Sequence, residues 1–241
     1  MTMKKMISLA LAICMALALA APVGAVAENH NTIEGVCEEV VEQDIQELFE
    51  NQGKYELYDC EGNNISKAFF EEYRSDYEQG NVDLIIEALG EKGVSIAGPS
   101  EYIADETPNV SPLSLVDPYL VVGVTVKHQF ISTFRFGDTT YKFTYYMYGS
   151  MKINDYNNTV QSAEVPDIKG DIKTNISAPQ IVVYSFTNKR NQKATISSNS
   201  KFVTYSMDFT IKMARLTSGE TDQKQYHIAF DGYGDGTTKG R

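Results

Sequence analysis

The chain has 241 residues, of which 42% are hydrophobic and 11% aromatic, and it carries a net charge of −11. This composition supports a buried core and excludes disordered and collagen-like proteins. Three cysteines are too few for a miniprotein held together by many disulfides, and the acidic balance argues against a nucleic-acid partner.

The first residues predict a secretory signal peptide of bacterial type. Two lysines precede an apolar run that reaches about residue 21, and Ala25 and Ala27 supply the small side chains that a signal peptidase reads. The run is shorter than the about 20 residues that a membrane span needs. We therefore expect residues 1–27 to be removed near Ala27, leaving a secreted, soluble chain without a membrane span.

Residues 28–97 are predicted to form a small acidic unit that is mainly helical. From Glu28 to Asp117 there are 22 acidic residues and four basic ones, whereas Pro118 to Arg241 has ten acidic and 15 basic residues. The apolar spacing predicts one amphipathic helix over residues 36–49 and two more over 67–78 and 82–89. Short strands are expected at 55–58 and 94–97.

Cys37 and Cys60 are the two cysteines of the mature chain and a candidate disulfide. Export favours such a bridge, and closing this loop would stabilise the fold by roughly 3 kcal/mol. The alternative is two buried free thiols, because Cys37 lies on the apolar stripe of the first predicted helix.

A proline-rich linker is predicted over residues 98–117. Pro99, Pro108 and Pro112 lie in this polar stretch, which shows no hydrophobic period. Such a composition indicates an extended, semi-rigid segment that proteases can reach.

Residues 120–153 predict one long β-hairpin whose register can be calculated. The apolar residues occupy even positions up to Phe136 and odd positions after the two-residue turn Gly137-Asp138. A two-residue turn that begins with glycine suits a type II′ hairpin. With the turn at Gly137-Asp138, the two residue numbers of each cross-strand pair add up to 275. This register pairs Phe134 with Tyr141 and gives the hairpin one apolar, buried face.

The opposite face of this hairpin is the candidate binding surface. It sets Lys127 beside Tyr148 and Gln129 beside Tyr146, and tyrosines among cations can stack on sugars or contact an anionic polymer. A solvated face, or one covered by another strand or by the acidic half, is the alternative. The candidate binding residues are Lys127, Gln129, Arg135, Lys142, Tyr146 and Tyr148.

Further strands are predicted at 181–187, 194–198, 201–216 and 223–230, followed by a polar, Gly-rich tail over 232–241. About six strands without an intervening helix favour an antiparallel sandwich or barrel over residues 118–231. The predicted fold class is α+β: a small acidic, mainly helical N-terminal unit followed by this all-β domain.

The sequence shows no catalytic, cofactor or metal motif. His128 is expected to be a neutral core residue and His227 to face solvent, and no nucleophile elbow, phosphate loop or zinc motif occurs. Asp-rich segments at 59–63 and 231–236 lack the full calcium-ligand spacing and are read as turns. We predict no catalytic residue, metal or cofactor, although a carboxylate pair for glycoside cleavage could form in the fold.

These observations favour a secreted, non-enzymatic binding module that engages a surface glycan, an anionic polymer or a protein through its β domain. The extracellular ligand or partner is not identified by the sequence. One alternative is an exported precursor of a toxin, inhibitor or signalling protein, whose acidic N-terminal segment masks the basic β domain. A further alternative is a secreted hydrolase.

Overall fold

The computed structural model describes residues 33–98, 121–154, 156–171 and 182–241. The predicted signal peptide and residues 99–117 of the predicted linker lie outside these ranges. Within them the protein is mostly antiparallel β-structure, arranged as two sheets, with three helices. None of these helices has both the length and the apolar character needed to cross a membrane.

The helices and strands are numbered in chain order. The helices are α1 (Glu42–Glu50), α2 (Ser66–Glu78) and α3 (Val82–Lys92). The strands are β1 (Gly35–Val36), β2 (Glu38–Glu39), β3 (Glu56–Tyr58), β4 (Ser95–Ala97), β5 (Val121–Phe136), β6 (Thr139–Asn154), β7 (Thr159–Ala163), β8 (Asp167–Gly170), β9 (Val182–Ile196), β10 (Phe202–Arg215), β11 (Thr221–Tyr233) and β12 (Thr238–Gly240).

The long hairpin β5–β6 has the register calculated from the sequence. Every pair from Val121↔Asn154 to Phe136↔Thr139 adds up to 275, as predicted. Gly137 has φ of 65° at the first turn position, a conformation that glycine adopts without the steric penalty of a side chain. The even residues of β5 and the odd residues of β6 point into the core, because side chains alternate along a strand.

Two sheets enclose the main core. One has the order β1-β9-β10-β11-β12, and the other has the order β2-β6-β5-β4-β3, with β7 and β8 also paired to β6. Their inner faces contribute to a single hydrophobic cluster. In it Tyr145 of one sheet packs edge-on against Phe209 of the other, with 5.6 Å between ring centroids. The body is therefore sandwich-like.

A second, smaller core lies beneath the helices. Ile45 and Phe49 of α1, Phe70 of α2 and Leu89 of α3 are buried there together. The helical segment is also connected to the β-sheet, because strand β4, which directly follows α3, pairs with β5. Residues from both sides of the predicted linker thus share one sheet.

The first predicted helix begins later than the spacing indicated. Helix α1 starts at Glu42, and the chain before it forms β1, paired with β9, and β2, paired with β6. Sheet hydrogen bonds therefore replace the helical ones that the spacing of Val36 and Val40 suggested. We call Gly35–Glu39 the N-terminal clip, because this short segment pairs with both sheets.

Several strands of the β half also differ from expectation. The segments predicted at 181–187 and 194–198 belong to one strand, β9, which is continuous through an irregularity in its pairing with β10. Asn188 and Asn191 have positive φ in this irregularity, a conformation that asparagine tolerates better than most residues. Part of the predicted C-terminal tail forms β12, which pairs with β11.

The two cysteines are free thiols, so the predicted disulfide is not formed in the structure. Cys37 belongs to the N-terminal clip and is buried in the main core, where burial raises the pKa of its thiol. Cys60 lies in the turn after β3 and is half-buried. The expected position of Cys37 on a helix was wrong because the clip is a pair of strands.

Candidate functional site

The outer face of the hairpin, formed by odd residues of β5 and even residues of β6, is covered by helices at its turn end. Arg135 forms ion pairs with Glu87 and Glu91 of α3, the second at 3.0 Å, and Lys142 pairs with Asp44 of α1. Two of the six predicted binding residues are therefore neutralised by the acidic segment.

The middle of the outer face carries a cluster that we call the Tyr/Lys patch, formed by Lys127, Tyr146, Tyr148 and Lys169. The Nζ atom of Lys127 lies 5.1 Å from the ring centroid of Tyr146, and that of Lys169 lies 5.3 Å from the ring centroid of Tyr148. The two ring centroids are 6.4 Å apart. Both distances from ammonium to ring are within the range of cation–π attraction.

Lys169 was missed by the sequence analysis because its strand was not predicted. Strand β8 has only four residues, yet it pairs with β6 and sets Lys169 opposite Tyr146 and Asp167 opposite Tyr148. Since β5 and β8 lie on opposite sides of β6, the two lysines flank the tyrosine column. Two strand spacings separate them, or about 10 Å.

The charge of the Tyr/Lys patch is positive. Burial alone would raise the pKa of Asp167, but the hydrogen bond from Lys189, at 2.8 Å, a backbone hydrogen bond and the nearby lysine charges together outweigh burial, and the pKa is lowered. This carboxylate is therefore ionised and already paired. Within the described ranges, neither Lys127 nor Lys169 forms an ion pair with a carboxylate.

A cavity of about 180 Å³, which we call the α1 groove, lies between α1 and the outer face of the hairpin. Gln129 and Lys142, both predicted binding residues, line it. The groove opens beside the Tyr/Lys patch, because Gln129 is opposite Tyr146 in the hairpin register. Its apolar walls are Val40, Ile45, Leu48, Leu89, Ile96 and Ile131.

The rim of the α1 groove is polar and acidic. Tyr55 donates a hydrogen bond from its hydroxyl to Glu47 at 2.8 Å, and burial together with this carboxylate raises the pKa of Tyr55. Glu38 and Asp44 are further carboxylates of the lining, and Lys142 is its single ammonium group. The sequence signal for this site is weak, because the lining residues come from six separate helices and strands and from the segments between them.

The two histidines that the structure describes, His128 and His227, do not form a site with catalytic geometry. His128 is 2% exposed and its Nδ1 lies 2.9 Å from the hydroxyl of Thr238, as its predicted core position requires. His227 is half-exposed on the other sheet, with Nδ1 2.5 Å from Asp208. No hydroxyl or thiol hydrogen-bonds to the His227 ring among the described residues.

The Asp-rich segment at 59–63 is a turn, whereas the one at 231–236 consists of the end of β11 and the turn that follows it. Asp59 accepts hydrogen bonds from the backbone N–H groups of Glu61 and Asn63, both at 2.9 Å. Asp235 accepts from the N–H and hydroxyl of Thr237, and these bonds lower the pKa of Asp235. Among the residues that the structure describes, no group of three or more His, Cys, Asp or Glu side chains is arranged to hold a metal.

The structure thus gathers Lys127, Tyr146 and Tyr148 in the Tyr/Lys patch, sets Gln129 and Lys142 in the α1 groove, and holds Arg135 against α3. No protein-family model, curated protein or solved structure matches the chain. Function is therefore inferred from the geometry of these surfaces alone.

Proposed function

We propose that the protein is a secreted, non-enzymatic binding module whose Tyr/Lys patch binds an anionic polymer outside the cell. One observation carries this proposal: two lysine ammonium groups flank two adjacent tyrosines on an open sheet face. Neither of these lysines forms an ion pair with a carboxylate of the described chain. A group that is not already neutralised by the protein can exchange its bound water for a ligand anion at little electrostatic penalty.

The shape of the patch suits an extended chain of anions. The two cations lie about two strand spacings apart, so neighbouring anionic groups of one polymer could contact both. The tyrosines between them offer flat apolar rings for contact with a ligand. Aromatic rings beside lysines also limit the motion of the ammonium groups, which reduces the entropy lost on binding.

Removing both cations should weaken binding to an anionic polymer strongly. For the double variant Lys127→Ala with Lys169→Ala, we expect about tenfold loss of affinity per charge-assisted contact. Retention on immobilised polyphosphate, measured across a series of salt concentrations, checks this. The control is Lys212→Ala, which removes one positive charge from the outer face of the other sheet and should leave retention unchanged.

The same experiment separates an anionic ligand from a neutral glycan. Unchanged retention of the double lysine variant on polyphosphate would contradict the proposal. Binding to neutral dextran that survives the lysine substitutions and is lost in Tyr146→Ala with Tyr148→Ala would instead assign the patch to a glycan.

A second candidate is an exported precursor. In it, a mainly helical acidic unit of residues 28–97 masks basic residues of a β domain of residues 118–231 until the linker is cut. The supporting observation is that Arg135 and Lys142 are both paired with acidic residues of the helices. Lys224 also donates a hydrogen bond to the carbonyl oxygen of Glu91 at 2.6 Å.

The precursor candidate predicts a shortened chain in the culture medium. Mass spectrometry of the secreted protein should then find a cut between residues 98 and 117, with the basic fragment separable from the acidic one. If only an intact chain beginning at Glu28 is found, masking by cleavage is excluded.

A further inference from the structure

We propose that the α1 groove binds a small organic cation, an amine with an apolar aromatic or aliphatic body. This site is separate from the Tyr/Lys patch and selects the opposite ligand charge. The inference therefore stands whether or not the patch binds an anionic polymer.

The groove has the form of a small-molecule site. Helix α1 packs on the sheet through Ile45 and Leu48, but the sheet beneath it carries Ile131 and Thr144, which leave the space between the layers unfilled. Ile131 and Ile96 remain half-buried in consequence. A concave, mainly apolar cavity with a few polar groups at its mouth is typical of sites that bind small molecules.

The polar groups of the groove favour a positive charge. Its lining contains three carboxylates and one ammonium, and Asp44 already neutralises that ammonium by pairing with Lys142. Carboxylates therefore outnumber ammonium groups in the lining, and Glu47 stands at its mouth beside Tyr55. A ligand carboxylate would meet like charge here, whereas a ligand ammonium would be attracted to it.

Glu47 is positioned to receive the ligand ammonium. One of its carboxylate oxygens accepts the hydroxyl hydrogen of Tyr55, which orients the group at the mouth of the groove. The other oxygen has no hydrogen-bond donor in the part of the chain that the structure describes. The Tyr55 ring also lines the groove and provides an aromatic surface for a cation.

The selection by charge can be tested with three probes of similar size. Phenethylamine carries a cation, phenylethanol is neutral and phenylacetate is an anion. With the full mature chain, isothermal titration should show saturable binding of phenethylamine, about tenfold tighter than that of phenylethanol, because an ammonium to carboxylate contact replaces a neutral one. Phenylacetate should not bind measurably.

Two variants locate the binding in the groove. Glu47→Gln removes one negative charge and should weaken phenethylamine binding about tenfold. Ile131→Trp fills the groove and should abolish phenethylamine binding. The matched control is Glu71→Gln, which removes an exposed carboxylate of α2 and should have no effect.

Three results would each overturn the proposal. Absence of saturable phenethylamine binding, equal affinity for phenylacetate, or unchanged affinity in Glu47→Gln would each do so. If Ile131→Trp fails to fold, as judged by circular dichroism, Glu47→Gln decides alone. Lys127→Ala with Lys169→Ala should leave phenethylamine binding intact, so failure of the anionic patch and failure of this site are distinguishable.

Discussion

Replacing Gly149 by alanine should lower the free energy of unfolding by about 2 kcal/mol or more, because the added methyl group overpacks the core. A Cβ atom at this position of β6 would lie 2.4 Å from two ring carbons of Tyr205. That ring cannot move aside easily. It is completely buried, stacks on Phe230 at 5.2 Å, and donates its hydroxyl to the carbonyl of Ser150 at 2.9 Å.

The matched control is Gly123→Ala on the neighbouring strand β5. No atom lies within 4 Å of a Cβ built there, so the methyl group meets solvent. Alanine also restricts the unfolded chain more than glycine does, and a small gain of about 0.5 kcal/mol is expected. Urea unfolding of both variants measures the difference, and equal stability of the two would show that the contact with Tyr205 does not constrain the sheet.

Acidification from pH 6.5 to 4 should remove about 3 kcal/mol of stability through His128 alone. Burial lowers the pKa of His128 to about 4, below the 6.5 of an unperturbed side chain. The unfolded state therefore binds a proton in this interval while the folded state does not, and the unfolding free energy falls with the pH. The buried Nε2 atom has no hydrogen-bond partner in the described part of the chain.

The variant His128→Phe isolates this contribution. It keeps an aromatic ring beside Phe130 and Phe230 but gives up the bond to Thr238, a loss of about 1 kcal/mol that does not depend on pH. Subtracting its pH profile of unfolding from that of the parent chain should leave a slope between pH 4 and 6.5. His227→Gln serves as the control. A parent profile parallel to that of His128→Phe would mean that the buried imidazole does not resist protonation.

The hairpin could be predicted from the sequence because two independent signals agree on it. The side-chain period of two identifies the buried face, and the turn at Gly137 fixes which residues pair. The burial of His128 and the partial exposure of Tyr146 and Tyr148 follow directly from that register. Long strands with one buried face therefore carry enough information to place side chains on a surface.

The covering of that surface could not be predicted in the same way. The pairing of Arg135 with α3 depends on how the acidic helices dock, and the helical period identifies only their buried faces. Strands of two to four residues, such as β2 and β8, show too few alternations to be recognised. Lys169 and the α1 groove both depend on such elements, so the larger part of the site required three-dimensional coordinates.

The N-terminal clip has a consequence for the order of events during folding. Gly35 finds its partner Tyr184 nearly 150 residues further along the chain, and Glu38 finds Lys142 about 100 residues away. A growing chain cannot complete either pairing until most of its length has been synthesised. We therefore expect the N-terminal clip to be among the last segments to pair during folding. Gly35–Glu39 would stay unpaired while the rest of the chain is still being synthesised.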